Sequence, residues 1–270
     1  MNGVTGGVPF NGQRGPGIAR PTHIPTRLSI TSWNIHRGRG EDGAIDPVRT
    51  LDVLCEEVLA RPVDLLVLQE ADEEVPPHRG VLDLATVEAR TGLSTLHRDA
   101  SARWGGDSHG FLGVVLMAQP GIDVETVTLL DLPGQCHRGA VIADIRMEGR
   151  PLRIVGTHLS LSQILRVAQM RTLGQHLFRR KARPTILCGD LNEWRPWGGL
   201  ALSPFVLGAR FKGPARPTFP VRRPFLPLDR VLTAGGAHVE GVHVLDGAGI
   251  RIASDHRPLA ADIIVHAPTS

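Results

Sequence analysis

The chain has 270 residues, of which 41% are hydrophobic and 21% are charged, proportions that are ordinary for a soluble globular protein. Its formal net charge is +3, from 30 basic and 27 acidic residues, so the protein is not a polycation. The three cysteines, Cys55, Cys136 and Cys188, have no paired spacing, which argues against a disulfide framework and against a cysteine zinc site. Free thiols indicate a reducing compartment, so we expect a cytoplasmic protein.

The N-terminal 26 residues differ in composition from the rest of the chain. They are rich in Gly, Pro and Arg and lack the apolar stretch of a signal peptide, so residues 1–26 are predicted to be a disordered leader. No later window approaches the roughly 20 apolar residues of a transmembrane helix. Residues 27–267 show no internal repeat and no clear linker, which predicts a single domain.

After the leader, short apolar runs alternate with helical patterns. The predicted strands are Leu28–Ile35, Val63–Gln69, Phe111–Met117, Val124–Leu129, Ala140–Arg146, Leu152–His158, Thr185–Cys188, Leu228–Leu232, Val239–Val244 and Leu259–Val265. Asp46 and Pro47 are a suitable cap and first residue for one helix, and Ser162–Lys181 is a second. The stretch 214–227 is dense in Pro and Arg and is predicted to be an extended loop. Hairpin-like pairs mixed with crossover helices predict an α/β sandwich with mixed sheets.

Polar residues recur where the predicted strands end. A single polar residue there is usually a turn former, but several of similar chemistry favour a metal or catalytic site, because strand ends hold side chains rigidly at a cleft. These residues are Asn34, Glu70, His158, Asp190 with Asn192, Asp229, and Asp255 with His256.

The chemistry of these residues narrows the metal and the reaction. Carboxylate and amide oxygens suit Mg²⁺ or Mn²⁺, and Glu70 and Asp255 meet the need of Mg²⁺ for one or two carboxylates. An imidazole such as that of His158 or His256 can neutralise or protonate a phosphate oxygen. Asp229 is a candidate for the carboxylate that orients such an imidazole.

The chain contains six motifs whose sequence and order resemble those of the endonuclease/exonuclease/phosphatase superfamily. This is the fold group of pancreatic deoxyribonuclease, abasic-site endonucleases, bacterial sphingomyelinases and inositol-polyphosphate 5-phosphatases. The resemblance extends from about Arg27 to Val265. The motifs are Ser32-Trp33-Asn34-Ile35-His36, Leu68-Gln69-Glu70, Thr157-His158-Leu159, Gly189-Asp190-Leu191-Asn192, Leu228-Asp229-Arg230 and Ser254-Asp255-His256-Arg257-Pro258-Leu259.

The resemblance implies a DNase I-like fold of the α/β (α+β) class, a four-layer sandwich of two packed mixed β-sheets flanked by helices. It also implies a role for each motif residue. Glu70 would be the main metal ligand, with Asn34 and Asp255 beside it. Asp190 would activate or position the attacking water, and Asn192 would hold a phosphate oxygen.

The remaining implied roles concern the imidazoles and the substrate. His256, oriented by Asp229, would stabilise the phosphorane or assist proton transfer, and His158 would contact the phosphate or help the leaving group. His36 is a candidate phosphate contact or second-metal position. Candidate substrate contacts are Arg138, Trp194 and Arg222. The sequence departs from the family at Val114, where many members have Asn in a Gly-Asn-Ala motif.

The predicted function is a Mg²⁺- or Mn²⁺-dependent hydrolase of phosphate esters, of phosphodiesterase or nuclease type, that acts by in-line attack of water. Its expected partner is a phosphate-ester substrate, either nucleic acid or a phospholipid head group, and no obligate protein partner is implied. Three alternatives stay open: an enzyme directed at phospholipids or inositol phosphates, an inactive phosphate-binding module, and a structural protein whose polar strand ends only form turns.

Overall fold

The computed structural model describes residues 25–134 and 138–266. Residues 1–24 of the predicted leader and Cys136 lie outside the described residues. Strand pairing begins at Thr26, the last residue assigned to the leader, which pairs with Val265. Within the described ranges, no helix is long and apolar enough to cross a membrane.

Two mixed sheets form the centre of the fold. Their strands are, in chain order, β1 (Thr26–Asn34), β2 (Leu65–Gln69), β3 (Ser94–Thr95), β4 (Val115–Ala118), β5 (Asp123–Leu132), β6 (Arg138–Met147), β7 (Arg150–His158), β8 (Thr185–Asp190), β9 (Asp229–Ala234), β10 (Ala237–Val244) and β11 (Leu259–Val265). The first sheet has the order β10-β11-β1-β2-β4-β3, and the second has the order β5-β6-β7-β8-β9. The pairs β1–β2 and β7–β8 are parallel, and the other pairs are antiparallel.

Helices cover the outer face of each sheet. They are α1 (Pro47–Val53), α2 (Leu84–Thr91), α3 (Gln163–Phe178), α4 (Pro204–Leu207) and α5 (Ile250–Ala253). As the sequence predicts, Asp46 caps α1, and its carboxylate accepts a hydrogen bond of 3.0 Å from the backbone N–H of Arg49. One π-helical turn, Leu54–Val58, continues α1.

Three apolar cores lie between these layers. The central core joins the facing sides of the two sheets and includes Ile30, Val67, Ile154 and Ile186. A second core packs the outer face of the first sheet against α1, α2 and α5. A third packs the outer face of the second sheet against α3 and α4. Helix, sheet, sheet and helix make four layers, which confirms the predicted fold class.

Two predicted elements need correction, and one helix was missed. Residues 111–114 form a tight turn, and the strand predicted at Phe111–Met117 begins only at Val115. The turn forms because the buried carboxylate of Asp72 accepts hydrogen bonds from the backbone of residues 109, 110 and 113. Helix α2, which Asp83 caps, was not predicted. Helix α3 ends at Phe178 and not at Lys181.

The contact between β7 and β8 is unusually close at Gly189. A Cβ atom there would lie 1.9 Å from the carbonyl oxygen of Thr157, and the φ angle of Gly189 is +137°. Only glycine permits both the approach and this backbone angle. The register that results places Asp190 opposite His158.

We predict that Gly189→Ala lowers the free energy of unfolding by about 3 kcal/mol or more, because backbone strain and a steric clash with Thr157 add together. The matched control is Gly149→Ala, where φ is +77° but no atom lies within 4 Å of the added Cβ. This control should cost only about 1 kcal/mol. Urea unfolding measures both values, and equal losses would contradict the close-approach argument.

Candidate active site

The ends of five strands, two in the first sheet and three in the second, bring the predicted residues together. In the second sheet, His158, Asp190 and Asp229 are register partners on β7, β8 and β9, so their side chains share one row. In the first sheet, Asn34 ends β1 and Glu70 follows β2. Because the sheets pack face to face, the two sets meet at one edge of the sandwich.

Asp190 lies at the centre of this arrangement and is 1% exposed. Its Oδ2 lies 3.0 Å from Asn34 Nδ2, 3.4 Å from His158 Nε2 and 3.7 Å from His256 Nε2. Burial raises the pKa of Asp190 to about 6, and the Asp229 carboxylate adds to this effect. The positive charge of His256 and the hydrogen bond from Asn34 oppose it. Asp190 therefore binds a proton more readily than an ordinary carboxylate does.

His256 is the charged imidazole of the site. Its Nδ1 lies 2.8 Å from Asp229 Oδ2, and the hydroxyl of Thr218 donates to the same oxygen at 2.5 Å. Burial alone lowers the pKa of His256, but the carboxylates of Asp229 and Asp190 outweigh burial and raise the pKa to about 10. The ring of Phe219 covers the imidazole at a centroid distance of 4.9 Å. His256 is thus a buried cation at neutral pH.

His158 has the opposite character. Burial lowers the pKa of His158 well below its ordinary value, and the positive charges of Arg138, His256 and Arg37 lower it further. The imidazole is therefore neutral. It lines a cavity of about 210 Å³ together with Arg37, Glu70, Arg138 and residues of the 72–78 loop. One imidazole is thus neutral and its neighbour charged because their surroundings differ.

Asn34 links the carboxylates of the two sheets. Its Nδ2 donates to Glu70 Oε1 at 3.2 Å and to Asp190 Oδ2 at 3.0 Å. Its Oδ1 accepts a hydrogen bond of 3.0 Å from the backbone N–H of His36. With both ends of the amide engaged, Asn34 fixes the position of the carboxylates in this arrangement.

Glu70 lies at the mouth of the cavity, with its side chain 13% exposed. Its Oε2 accepts a hydrogen bond of 2.5 Å from Arg37 Nη1. The backbone at Glu70 has a φ of +55°, and His36, Arg37 and Asn192 also have positive φ values. Such angles are costly for residues with a Cβ, and they concentrate at this edge of the sandwich.

Asp255 and His36 occupy the outer side of the site. Asp255 Oδ1 lies 3.5 Å from His36 Nδ1 and 3.5 Å from the hydroxyl of Ser254. These separations are long for hydrogen bonds, so the Asp255 carboxylate is weakly engaged. The hydroxyl of Ser254 donates to the Asn34 carbonyl at 2.7 Å, which joins this turn to the end of β1.

Asn192 follows β8 and is fixed from two directions. Its backbone N–H donates to Asp190 Oδ1 at 3.0 Å, and its side-chain amide donates to the Leu159 carbonyl at 2.8 Å. Beyond it, the buried guanidinium of Arg230 donates to the backbone carbonyls of Glu193 and Arg195 at 3.1 and 2.8 Å. Arg230 therefore holds the loop that carries Asn192.

The remaining predicted residues lie in different surroundings. Arg138 shares the cavity with His158 and Glu70. Trp194 is 51% exposed, and Arg195 lies over its ring at 5.3 Å. Arg222 makes an ion pair with Glu41 at 3.2 Å and does not line the cavity. Val114, at the departure from the family pattern, is buried in the central core.

Sequence reasoning missed three residues that shape the site. Arg37 neutralises Glu70, and its position three residues after Asn34 was an available signal. Arg230, in a recognised motif, was not assigned its role of holding the 193–195 backbone. Thr218, a hydrogen-bond partner of Asp229, lies 11 residues away in the Pro-rich loop, and no local pattern marks it.

One compact group in the described part of the chain has metal-ligating chemistry. Ligand atoms of Asp190, Asp229 and His256 all lie within 4.8 Å of one another. Two of them, Asp229 Oδ2 and His256 Nδ1, are already joined by a hydrogen bond. This group differs from the predicted ligand set of Asn34, Glu70 and Asp255, of which Glu70 lines the cavity.

Two packed mixed sheets flanked by helices, with a buried Asp–His site at the strand ends, define the DNase I-like class of fold. Residues 31–256 match the sequence model of the Endonuclease/Exonuclease/phosphatase family. The chain belongs to this family. Its members commonly use divalent metals. Among curated proteins, no sequence matches that of the chain.

Solved structures with similar folds include three informative neighbours. The endonuclease/exonuclease/phosphatase from Beutenbergia cavernae DSM 12333 is 21% identical with a TM-score of 0.61, covering 89% of this chain and 72% of that one. A family member from Bacteroides vulgatus is 15% identical with a TM-score of 0.69, covering 89% and 100%. D. rerio TDP2, complexed with single strand DNA product, is 17% identical with a TM-score of 0.65, covering 88% and 99%. At these identities the likeness concerns the fold.

We predict that Asp229→Asn lowers the pKa of His256 by about one unit or more, because it removes the strongest of the charges that raise this pKa. NMR titration of the imidazole measures the change. Asp255→Asn is the matched control and should have a smaller effect, since Asp255 contributes least among the three carboxylates. An unchanged pKa in Asp229→Asn would contradict the assigned pairing.

Proposed function

We propose that the protein is a divalent-metal-dependent hydrolase that cleaves phosphodiesters by in-line attack of water. The observation that carries this proposal is the position of Asp190, whose single oxygen Oδ2 faces Asn34, His158 and His256. A carboxylate with a raised pKa beside one neutral and one charged imidazole offers a base, a donor and a cation within one small space.

The roles of the side chains follow from their protonation. Asp190 orients the attacking water and takes its proton, because its raised pKa lies closer to neutral pH than that of an ordinary carboxylate. The cationic His256 stabilises the negative charge that develops on the phosphoryl oxygens, and Asp229 keeps it charged. The neutral His158 donates a hydrogen bond to a phosphoryl or leaving-group oxygen. Asn192 offers its second amide hydrogen to the phosphate.

The chemistry of the site fits a hard divalent cation at Glu70 and Asp255. Glu70 lines the cavity, both carboxylates are partly exposed, at 13% and 28%, and Asp255 has only long contacts to His36 and Ser254. Mg²⁺ in proteins is commonly held by one or two carboxylates while its other positions go to water and phosphate. When bound, Mg²⁺ or Mn²⁺ would supply Lewis-acid stabilisation of the phosphoryl oxygens.

Two details of this metal assignment differ from the set predicted by resemblance. Asn34, whose amide bridges Glu70 and Asp190, is proposed to position these carboxylates rather than to bind the cation directly. Arg37 pairs with Glu70, so its guanidinium must share or yield this carboxylate when the cation binds. Asp190, Asp229 and His256 are not proposed as metal ligands, because the Asp229–His256 hydrogen bond already engages two of the three. They act as the base, the orienting carboxylate and the charged imidazole.

The first test is hydrolysis of a substrate panel with Mg²⁺, Mn²⁺ or EDTA. The panel holds bis-p-nitrophenyl phosphate, plasmid DNA, an abasic-site duplex, sphingomyelin and an inositol polyphosphate. We expect metal-dependent turnover of at least one diester and a loss of about 10³-fold or more in Asp190→Ala, since a positioned base contributes roughly 10²–10⁴-fold. The matched control is Asp123→Ala. This exposed carboxylate begins β5, at the end away from the pairing of Leu132 with Arg138, and the variant should be fully active. A folded protein that turns over no substrate would favour an inactive phosphate-binding module.

The second test concerns the proposed metal ligand. Glu70→Gln keeps the shape of the side chain but removes its charge, so we expect the Mg²⁺ concentration for half-maximal activity to rise by about tenfold or more, with little change in melting temperature. Glu73→Gln removes the same charge from the same cavity wall and serves as the control. Equal effects in the two variants would show that Glu70 acts only through general electrostatics.

A further inference from the structure

Charge is distributed very unevenly along the chain. Between residues 149 and 228 there are fourteen Lys or Arg residues and only two acidic residues, Asp190 and Glu193. Both acidic residues are buried. The segment therefore exposes no carboxylate, although the whole chain has 30 basic and 27 acidic residues. The exposed basic residues are Arg171, Arg179, Lys181, Arg210, Lys212, Arg216, Arg222 and Arg223.

The same segment holds the most exposed large apolar side chains of the described residues. Each of five side chains is more than three-quarters exposed: Leu161 at 78%, Ile164 at 80%, Phe178 at 85%, Trp197 at 76% and Phe205 at 79%. Trp194 and Leu200 add exposures of 51% and 52%. Large apolar side chains that gather on one exposed surface commonly mark a binding surface.

Hydrogen bonds join these side chains into one surface. Gln163, between Leu161 and Ile164, is bonded to Arg195 in the loop that carries Trp194 and Trp197. Farther along α3, Arg171 donates to the backbone carbonyl of Phe205 at 3.1 Å. Ile164, Arg171 and Phe178 are spaced by seven residues and so lie on one side of the helix. We call the set Leu161, Ile164, Arg171, Trp194, Trp197 and Phe205 the apolar–basic face.

The apolar–basic face borders the candidate active site on two sides. Leu161 lies three residues beyond His158, and Trp194 lies two residues beyond Asn192. The hydrogen bond from Asn192 to the Leu159 carbonyl joins these two segments at the cleft. A surface bound to the apolar–basic face would therefore lie next to the catalytic residues.

We propose that the apolar–basic face docks the protein onto an anionic lipid bilayer. Trp, Phe, Leu and Ile side chains that project beside exposed basic residues are the composition that inserts at a membrane interface. The segment that carries the face exposes basic residues and no carboxylate, so its charge complements the negative surface potential of anionic lipids. The cleft would then face phosphate esters at the bilayer surface.

Nucleic acid fits the apolar–basic face less well. Binding of single strands relies on aromatic rings open for stacking and on a groove of free cations. Here Arg195 lies over the ring of Trp194, and Arg195 itself is paired with Glu193 at 2.7 Å. Leu161 and Ile164 are aliphatic and offer no stacking surface. Trp197 and Phe205 can stack on bases, but Leu161 and Ile164, which are equally exposed, favour hydrocarbon.

The experiment is flotation of the full chain with vesicles of phosphatidylcholine alone or mixed with phosphatidylserine. We expect binding to the mixed vesicles and a loss of at least tenfold in the double variant Ile164→Glu with Trp197→Glu. The matched control is Ile45→Glu with Val48→Glu, which changes two side chains that are 63% and 69% exposed outside the face. Melting temperatures verify that both variants fold, and turnover of soluble bis-p-nitrophenyl phosphate should be unchanged in the first.

Vesicle binding does not depend on the proposed catalysis, so Asp190→Asn should bind vesicles as the unmodified chain does even if no substrate is found. Absence of binding to the mixed vesicles, or equal losses in the two double variants, would overturn the proposal. The proposal would also be overturned if the Ile164→Glu, Trp197→Glu variant lost affinity for a single-stranded oligonucleotide but kept its affinity for vesicles. Light scattering that shows a dimer broken by the same substitutions would assign the face to a second copy of the chain.

Discussion

The burial of one carboxylate, that of Asp190, constrains the rest of the site. A charged group that is 1% exposed is stable only if neighbouring groups replace the water it has lost. Asn34 comes from the first sheet, His158 from the adjacent strand, and His256 from the turn before β11. Once it is buried, Asp190 can therefore stay ionised at neutral pH only if both sheets and the C-terminal strand are in place, which couples the assembly of the sandwich to its chemistry.

Arginines and strained backbone complete this edge of the sandwich. Arg37 compensates Glu70, and the buried Arg230 holds the loop after Asn192 through backbone carbonyls. Positive φ angles at Arg37, Glu70 and Asn192 cost conformational free energy that the surrounding packing must offset. Because these residues sit at strand ends, the strain aims side chains into the cleft while the strands themselves stay regular.

Most of the fold was predictable because strands buried on both faces leave a strong apolar signal. The run ending at Gln69 and the run ending at Asp190 are examples, and both have fully buried residues throughout. The turn at residues 111–114 was not predictable. Its residues are as apolar as a strand, and only hydrogen bonds to Asp72, some 40 residues earlier in the chain, bend the backbone there.

The sequence by itself determined the chemical types at the strand ends, and with them the family and the candidate residues. It could not determine their mutual geometry, because protonation depends on burial and on neighbours distant in the chain. His158, which ends β7, and His256, in the turn before β11, have the same side chain, yet one is neutral and the other charged. That difference arises only when the register of β7, β8 and β9 and the packing of the two sheets place Asp229 against one imidazole and Arg138 near the other.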